Sequence, residues 1–200
     1  MPIVNPDAPR SSIAALLATL PALAGSGGLR TRAPEFAASL AAPQSLQKPG
    51  LSYPVYSIGL TDLVSNAGVK KAKLSAWRHE YTSGDEVVSA EVSAGARPKF
   101  SQLNVHSRFR AVQHEIMAAA EHEAFKSHSF EVRLLQISAL AIRALWLRAP
   151  KSGSDILIPL APVRHELTAN RHYSAEGFVA ALKPAAREIL NAEGRGKGGA

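Results

Sequence analysis

The hydrophobic pattern is strongest between Phe130 and Leu160, where three apolar segments follow one another closely. Residues 131–134 alternate between polar and apolar, which is the two-residue period of a strand entering a sheet. Residues 139–147 are almost wholly apolar, as in a strand that is covered on both faces. We therefore predict three adjacent strands, at Phe130 to Ser138, Ala141 to Ala149 and Asp155 to Leu160, with Trp146 in their core.

Four further segments have strand patterns, and two have the period of a helix. The strands are expected at Tyr53 to Leu60, Leu74 to Tyr81, Glu86 to Ala94 and Phe100 to His106. The helices are expected from Arg108 to Lys126 and after Ser174, which is a good N-cap, and Pro184 should kink or divide the second one. The pattern predicts an α+β fold with a mostly antiparallel, twisted sheet of about six strands and two main helices packed on it.

Two parts of the chain share an order of residues. Trp77 is followed by the turn Ser83-Gly84-Asp85, and Trp146 is followed by the turn Ser152-Gly153-Ser154-Asp155. Each set precedes an expected helix. One hypothesis is that the chain consists of two related β-β-β-α halves, and the alternative is a chance similarity between two ordinary hairpins.

Composition shifts divide the chain into three parts. Residues 1–50 contain short apolar helices and linkers rich in Gly, Ser and Pro. Residues 51–193 are expected to form a single α+β domain, and residues 194–200 a flexible basic tail.

The apolar segment from Ile13 to Ala24 has two interpretations. It could be a secretory signal cleaved after Ala24, although Pro21 interrupts the apolar run. It could instead be a short helix, capped by Ser11 or Ser12, that docks on the domain or on a partner. We expect a cytoplasmic protein, with export as the alternative. The residues expected to bind a partner are Ile13, Leu16, Leu17 and Leu20.

Composition excludes some kinds of chemistry. The chain has 200 residues and no cysteine, so disulfides, thiol catalysis and zinc–cysteine sites are excluded. The net charge is +7, but the basic residues are spread along the chain and form only small clusters, such as Lys70, Lys71 and Lys73. A nucleic-acid binder more often has a basic stripe with interleaved aromatic residues, so this function ranks third.

One expected helix is rich in possible metal ligands. His114 and Glu121 are seven residues apart, as are Glu115 and His122, so each pair lies on one side of a helix. Imidazole and carboxylate groups are common metal ligands. The zinc-protease spacing is absent, however, and the same projection places these residues opposite the apolar face. A solvated face is the preferred interpretation, and we expect no metal or cofactor.

Histidine and carboxylate residues also recur in a tripeptide. The sequence Arg-His-Glu occurs at residues 78–80 and again at residues 164–166. In a strand, the His would point away from its Arg and Glu neighbours, so one tripeptide alone makes no site. Catalysis would require the two tripeptides to lie close together in the folded protein. The candidate catalytic residues are His79, Glu80, His165, Glu166 and His172.

The sequence therefore favours a non-catalytic function. Its architectural pattern is strong, whereas its reactive residues show no convergent motif. We predict a protein-binding, adaptor or assembly subunit that uses a sheet edge, a groove between helix and sheet, or the N-terminal segment, with a protein partner or a second copy. The alternative is a cysteine-independent hydrolase that uses His and carboxylate residues.

Overall fold

The computed structural model describes residues 3–4, 6–24, 27–39, 50–83, 86–105, 129–151 and 153–196. Nine strands lie in these ranges: β1 (Ile3–Val4), β2 (Leu51–Ser57), β3 (Lys73–Ser83), β4 (Glu86–Ser93), β5 (Phe100–Val105), β6 (Phe130–Ile137), β7 (Ile142–Arg148), β8 (Ile156–Pro159) and β9 (Tyr173–Ser174). The α-helices in the same ranges are α1 (Arg10–Ala24), α2 (Gly27–Arg32), α3 (Pro34–Ser39), α4 (Leu60–Val64) and α5 (Ala175–Gly196). The predicted α+β class is confirmed.

The sheet is mostly antiparallel, as predicted. Its strands are hydrogen-bonded in the order β5-β4-β3-β2-β6-β7-β8-β9, and β1 also pairs with β6. The β1–β6 and β2–β6 pairs are parallel. The strand number exceeds the expected six or so, because β1 and β9 contain only two residues each and are too short to show a pattern.

The described residues form two compact units. Unit A consists of residues 6–24, 27–39, 50–54, 75–83 and 86–105, and unit B of residues 3–4, 55–74, 129–151 and 153–196. Strands β2 and β3 each contribute residues to both units. Within β2 the division lies between Pro54 and Val55, and the predicted domain boundary at residue 51 stays a prediction.

Unit B is built around the apolar segments that dominate the sequence. Strands β6, β7 and β8 match the three predicted strands to within one residue at each end and form an antiparallel meander. The expected kink is a 3₁₀ turn, Ser138–Leu140, followed by Ala141 in the left-handed conformation (φ 51°). Trp146 is buried, as predicted. Both faces of β6 and β7 are largely buried, in keeping with the apolar residues that predominate in β7 and in the second half of β6.

Helix α5 covers one face of the unit B strands. Ser174 Oγ accepts a hydrogen bond from the backbone N–H of Gly177 at 3.0 Å, which confirms the expected N-terminal cap. The apolar stripe of the helix, including Phe178, Leu182 and Ala186, is buried against β6, β7 and β8. The helix is not divided at Pro184 and continues to Gly196. Packing of this stripe compensates for the backbone hydrogen bond that proline cannot make.

Helix α1 belongs to the core of unit A. The apolar period predicts a helix, and Leu16 and Leu20, one turn apart, are fully buried against β4. The expected cap at Ser11 or Ser12 is wrong, because the helix begins at Arg10 and both serines lie inside it. The sequence analysis left open whether this helix docks on the domain or on a partner. In the structure it docks on the chain's own sheet.

Two sequence predictions stay open. The helix expected from Arg108 to Lys126 lies outside the described residues. The hypothesis of two related halves also stays a hypothesis. None of the helices in the described part of the chain is long and apolar enough to cross a membrane.

Candidate functional site

Strand β3 carries three consecutive polar residues that are all buried. The exposed fractions of Arg78, His79 and Glu80 are 7%, 0% and 1%. Because side chains alternate along a strand, His79 lies on one face of the sheet and its two neighbours lie on the other. The register agrees, since Arg78 lies opposite Glu91 and His79 lies opposite Ala90 on β4. Unit A therefore contains two separate polar clusters.

The first cluster, which we call the His79 bridge, consists of Ser12, Ser52 and His79. The Nε2 atom of His79 lies 2.8 Å from Ser12 Oγ on α1, and its Nδ1 atom lies 2.9 Å from Ser52 Oγ on β2. A neutral imidazole has one donor and one acceptor nitrogen, so one serine donates to the ring and the other accepts from it. Burial lowers the pKa of His79 to about 4, which keeps the ring neutral at pH 7.

The second cluster lies on the opposite face and contains Tyr53, Arg78, Glu80 and Glu91. The hydroxyl of Tyr53 donates to Glu80 Oε1 at 2.5 Å. Arg78 Nε donates to Glu91 Oε1 at 2.7 Å, and its Nη2 binds the same oxygen. This ion pair is almost fully buried.

Burial and neighbouring charge perturb this second cluster. Burial raises the pKa of Tyr53 well above its ordinary value, and the negative charge of Glu80 raises it further. For Arg78, burial alone would lower the pKa, but the neighbouring Tyr53 and Glu91 reverse the direction and raise it. Tyr53 is therefore a neutral donor and Arg78 a permanent cation at neutral pH.

The His79 bridge has some features of an activated nucleophile. A serine hydroxyl lies within hydrogen-bond distance of a histidine, and a third group orients the ring, which is the arrangement that nucleophilic catalysis requires. However, Ser12 is 1% exposed and His79 is fully buried, so a substrate has no access to either group in this conformation. A histidine with a pKa of about 4 is also a weak general base at pH 7.

The remaining candidate catalytic residues lie in unit B. His165 and Glu166 are exposed, and His172 is half-buried, in the segment that joins β8 to β9. The Nε2 atom of His165 lies 3.4 Å from the carbonyl oxygen of Leu140. None of these residues belongs to a group of described side chains that could hold a metal ion. His79 and Glu80 belong to unit A.

The other predicted site residues have different outcomes. The metal-ligand candidates His114, Glu115, Glu121 and His122 lie outside the described residues, so their prediction stays untested. On α1, Ile13 and Leu17 are half-buried, whereas Leu16 and Leu20 are fully buried in unit A.

A buried arginine in unit B was not singled out from the sequence. The guanidinium carbon of Arg133 lies 4.6 Å from the ring centroid of Tyr56 and 5.0 Å from that of Trp146. Its Nη2 also donates to Glu131 at 2.6 Å. These contacts make Arg133 a structural cation–π centre, since its own aromatic neighbours enclose it. In the sequence, the alternation in β6 indicates only that Arg133 lies on the face opposite Val132 and Leu134, so it gave no sign of the aromatic neighbours.

A small cleft lies between the α4–β3 connection and the start of α5 in unit B. Its volume is about 160 Å³, and Ser65, Lys70, Glu176 and Lys183 are among its lining residues. Pockets for small organic ligands usually measure about 300–1,000 Å³, so this cleft is too small for most of them.

Sequence reasoning missed most of the two unit A clusters. Four residues of these clusters were not predicted as site residues, because each lies in a pattern that is typical of a helix cap or a strand: Ser12, Ser52, Tyr53 and Glu91. The only signal was the unusual run Arg78-His79-Glu80 within a predicted strand. No family model matches this chain, and comparisons with curated proteins and with solved structures give no match either.

Proposed function

We propose that this protein is a non-catalytic binding subunit that recognises a partner protein. The observation that carries the proposal is the burial of His79 and Glu80. Each of these side chains is held by internal hydrogen bonds on its own face of β3. Polar groups that are desolvated and saturated in this way stabilise and specify a fold, whereas catalysis requires groups that a substrate can reach.

The edge of unit A offers a surface for such binding. Among the described strands, β5 is paired on one side only, with β4. Ser101 and Gln102 in the middle of β5 are exposed, and the strand contains neither proline nor a charged residue. Proline, charges and coverage are the usual devices that block strand addition at an edge. The edge is therefore suited to adding an extended segment of another protein.

Charge indicates the chemistry of that segment. Arg97 and Lys99, directly before β5, are exposed and form no ion pair with a described residue. A partner strand with acidic residues at the matching end would complement them, whereas a second copy of β5 would bring the same basic residues. We therefore propose an extended, acidic segment as the occupant.

Binding of two designed peptides tests this proposal. One peptide alternates Val and Thr after two Glu residues, and the other carries two Lys residues in place of the Glu pair. We expect the acidic peptide to bind at least about ten-fold more tightly, because it pairs with the basic residues beside the edge. Fluorescence anisotropy measures both affinities.

Charge reversal provides the matched control. Arg97→Glu with Lys99→Glu should remove the preference, whereas Lys70→Glu with Lys71→Glu makes the same change at an exposed site in unit B. Failure of both peptides to bind, or an unchanged preference in the first variant, would contradict the proposal. Light scattering that shows a concentration-dependent mass above 21.2 kDa would assign the edge to a second copy instead.

A hydrolase is the second candidate, and the His79 bridge is the observation that favours it. If α1 moves so that a substrate reaches Ser12, a fluorophosphonate probe should phosphonylate that hydroxyl at pH 8, where the neutral histidine takes the hydroxyl proton and fluoride leaves. Intact-mass spectrometry measures the adduct, and Ser12→Ala is the control. We expect no adduct if the binding function is correct, and an adduct lost in Ser12→Ala would establish the hydrolase.

A further inference from the structure

We propose that the His79 bridge is an acid-operated latch that holds helix α1 on unit A at neutral pH and releases it on acidification. The proposal is independent of the binding function and of the edge strand β5. It rests on one buried side chain that connects α1 to β2 and β3 through both of its ring nitrogens.

The geometry makes the bridge sensitive to one proton. In the neutral state, one ring nitrogen accepts a hydrogen bond from a serine and the other donates to the second serine. In the imidazolium, both nitrogens are donors, so the serine that donated must turn its hydrogen elsewhere. Where that serine is Ser12, which is 1% exposed, bulk water does not reach its hydrogen while α1 is docked, whereas Ser52 is half-buried. Protonation thus replaces a good hydrogen bond with an unfavourable contact between the new N–H of the ring and the hydroxyl hydrogen of the serine that faces it.

Among the described residues, the groups around His79 offer the new charge no compensation. On the face of β3 that His79 shares with Trp77 and Tyr81, its neighbour on β4 is Ala90. Burial raises the pKa of Tyr81 to about 12, so this side chain stays neutral. The carboxylates of Glu80 and Glu91 lie on the opposite face of the sheet. The charged residues of α1, α2 and α3, namely Arg10, Arg30, Arg32 and Glu35, are exposed.

Release of α1 is the simplest way for His79 to become hydrated. Helix α1 has 15 residues, too few for a stable isolated helix, so it depends on its contacts with the sheet. Its buried apolar contacts are those of Leu16 and Leu20, with further packing by the partly buried Ala15, Leu17 and Leu23, and its buried polar contact with the sheet is Ser12. When α1 leaves, the ring meets water and the apolar side chains of Val88, Ala90 and Val92 lose a cover.

The sign and size of the effect follow from linkage. The docked state holds the pKa of His79 at about 4, below the ordinary 6.5, so the docked state binds the proton less well than the released state. The contribution of His79 to the free energy of α1 docking is therefore complete above pH 6.5, and it is lost as the pH falls from 6.5 to about 4. Between pH 7.5 and pH 4.5, the ratio of released to docked α1 should rise roughly 70-fold.

Hydrogen exchange of the full chain at pH 7.5 and pH 4.5 tests the latch. After correction for intrinsic rates, we expect the amides of α1 to lose roughly 70-fold in protection, while those of α5 in unit B lose far less. In His79→Gln, the amide can bond both serines but does not titrate in this range, so the loss should vanish. An equal loss in wild type and variant, or an equal loss in α5, overturns the proposal.

A second measurement keeps the test valid if His79→Gln does not fold. Because the chain has no cysteine, a single Leu20→Cys thiol reports the release of α1 by its reaction with a thiol reagent. Ala18→Cys, at an exposed position of the same helix, corrects for the pH dependence of the thiolate. We expect the ratio of the Leu20→Cys rate to the Ala18→Cys rate to rise roughly 70-fold on acidification. A constant ratio overturns the latch.

Discussion

Arg78 and Glu91 form an ion pair that is buried between neighbouring strands of unit A. Removing two charges from water costs several kcal/mol each, and their mutual attraction offsets that cost only when the geometry is good. The pair therefore adds little to the free energy of unfolding, whereas removing one of its two partners lowers that free energy strongly. With the neighbouring Tyr53–Glu80 hydrogen bond, it fixes the alignment of β2, β3 and β4, because a one-residue slip would leave charges unpaired.

Breaking the pair and replacing it should have different effects. Arg78→Met leaves the carboxylate of Glu91 buried without a partner, so the free energy of unfolding should fall by about 3–5 kcal/mol. Arg78→Met combined with Glu91→Leu should restore only part of this loss, since the charge of Glu91 is removed but the buried Glu80 still lacks its neighbouring cation. Urea unfolding measures both variants.

The exposed Arg148–Glu131 pair supplies the control for this experiment. Its Nη1–Oε2 distance is 3.4 Å, and the Arg148 side chain is 42% exposed. Arg148→Met should cost less than about 1 kcal/mol. A loss that small in Arg78→Met would show that the buried pair is not desolvated as the structure indicates.

Helix α1 shows how one element combines two kinds of contact. Its apolar side chains supply most of the docking energy, at about 1.5–3 kcal/mol for each fully buried leucine. The hydrogen bond between Ser12 and His79 sets the position of the helix, since it fixes α1 along and around its axis. Strands β6 and β7 depend mainly on apolar packing on both faces, and their polar contact, the Arg148–Glu131 pair, is partly exposed.

At the scale of the whole molecule, the first 24 residues contribute to both units. Strand β1 pairs with β6 in unit B, and α1 lies in the core of unit A. This arrangement bears on the two interpretations of the N-terminal segment. A free arm or a cleaved signal would be dispensable for folding, whereas an integrated segment would not.

Deleting residues 1–24 should therefore destabilise the protein. Loss of Leu16 and Leu20 alone should lower the free energy of unfolding by about 3–6 kcal/mol, because their burial is lost and the facing strand is exposed. Thermal unfolding followed by near-ultraviolet circular dichroism measures this loss, with a deletion of residues 197–200 as the control. A truncated chain as stable as the full one would instead support export with cleavage after Ala24.

The sequence determined the element types and much of the fold class. Apolar periodicity located β6, β7, β8 and α5, since these elements pack by hydrophobic burial and their pattern follows directly from the geometry of strands and helices. It also placed His79 on the opposite face of β3 from its neighbours, because alternation is a local property. The short strands β1 and β9 carry too few residues to produce a pattern.

Only the tertiary structure decided which polar residues meet. Ser12 and His79 are 67 residues apart in the chain, and Tyr53 and Glu80 are 27 apart. Hydrogen bonds between residues far apart in the chain produce no periodic pattern in the sequence. The sequence therefore cannot distinguish a serine that bonds to His79 from a serine that caps a helix. The burial of His79, the role of Ser12 and the division into two units depend on strand order and helix docking. These are long-range properties, fixed when the apolar faces that the sequence specifies find one another.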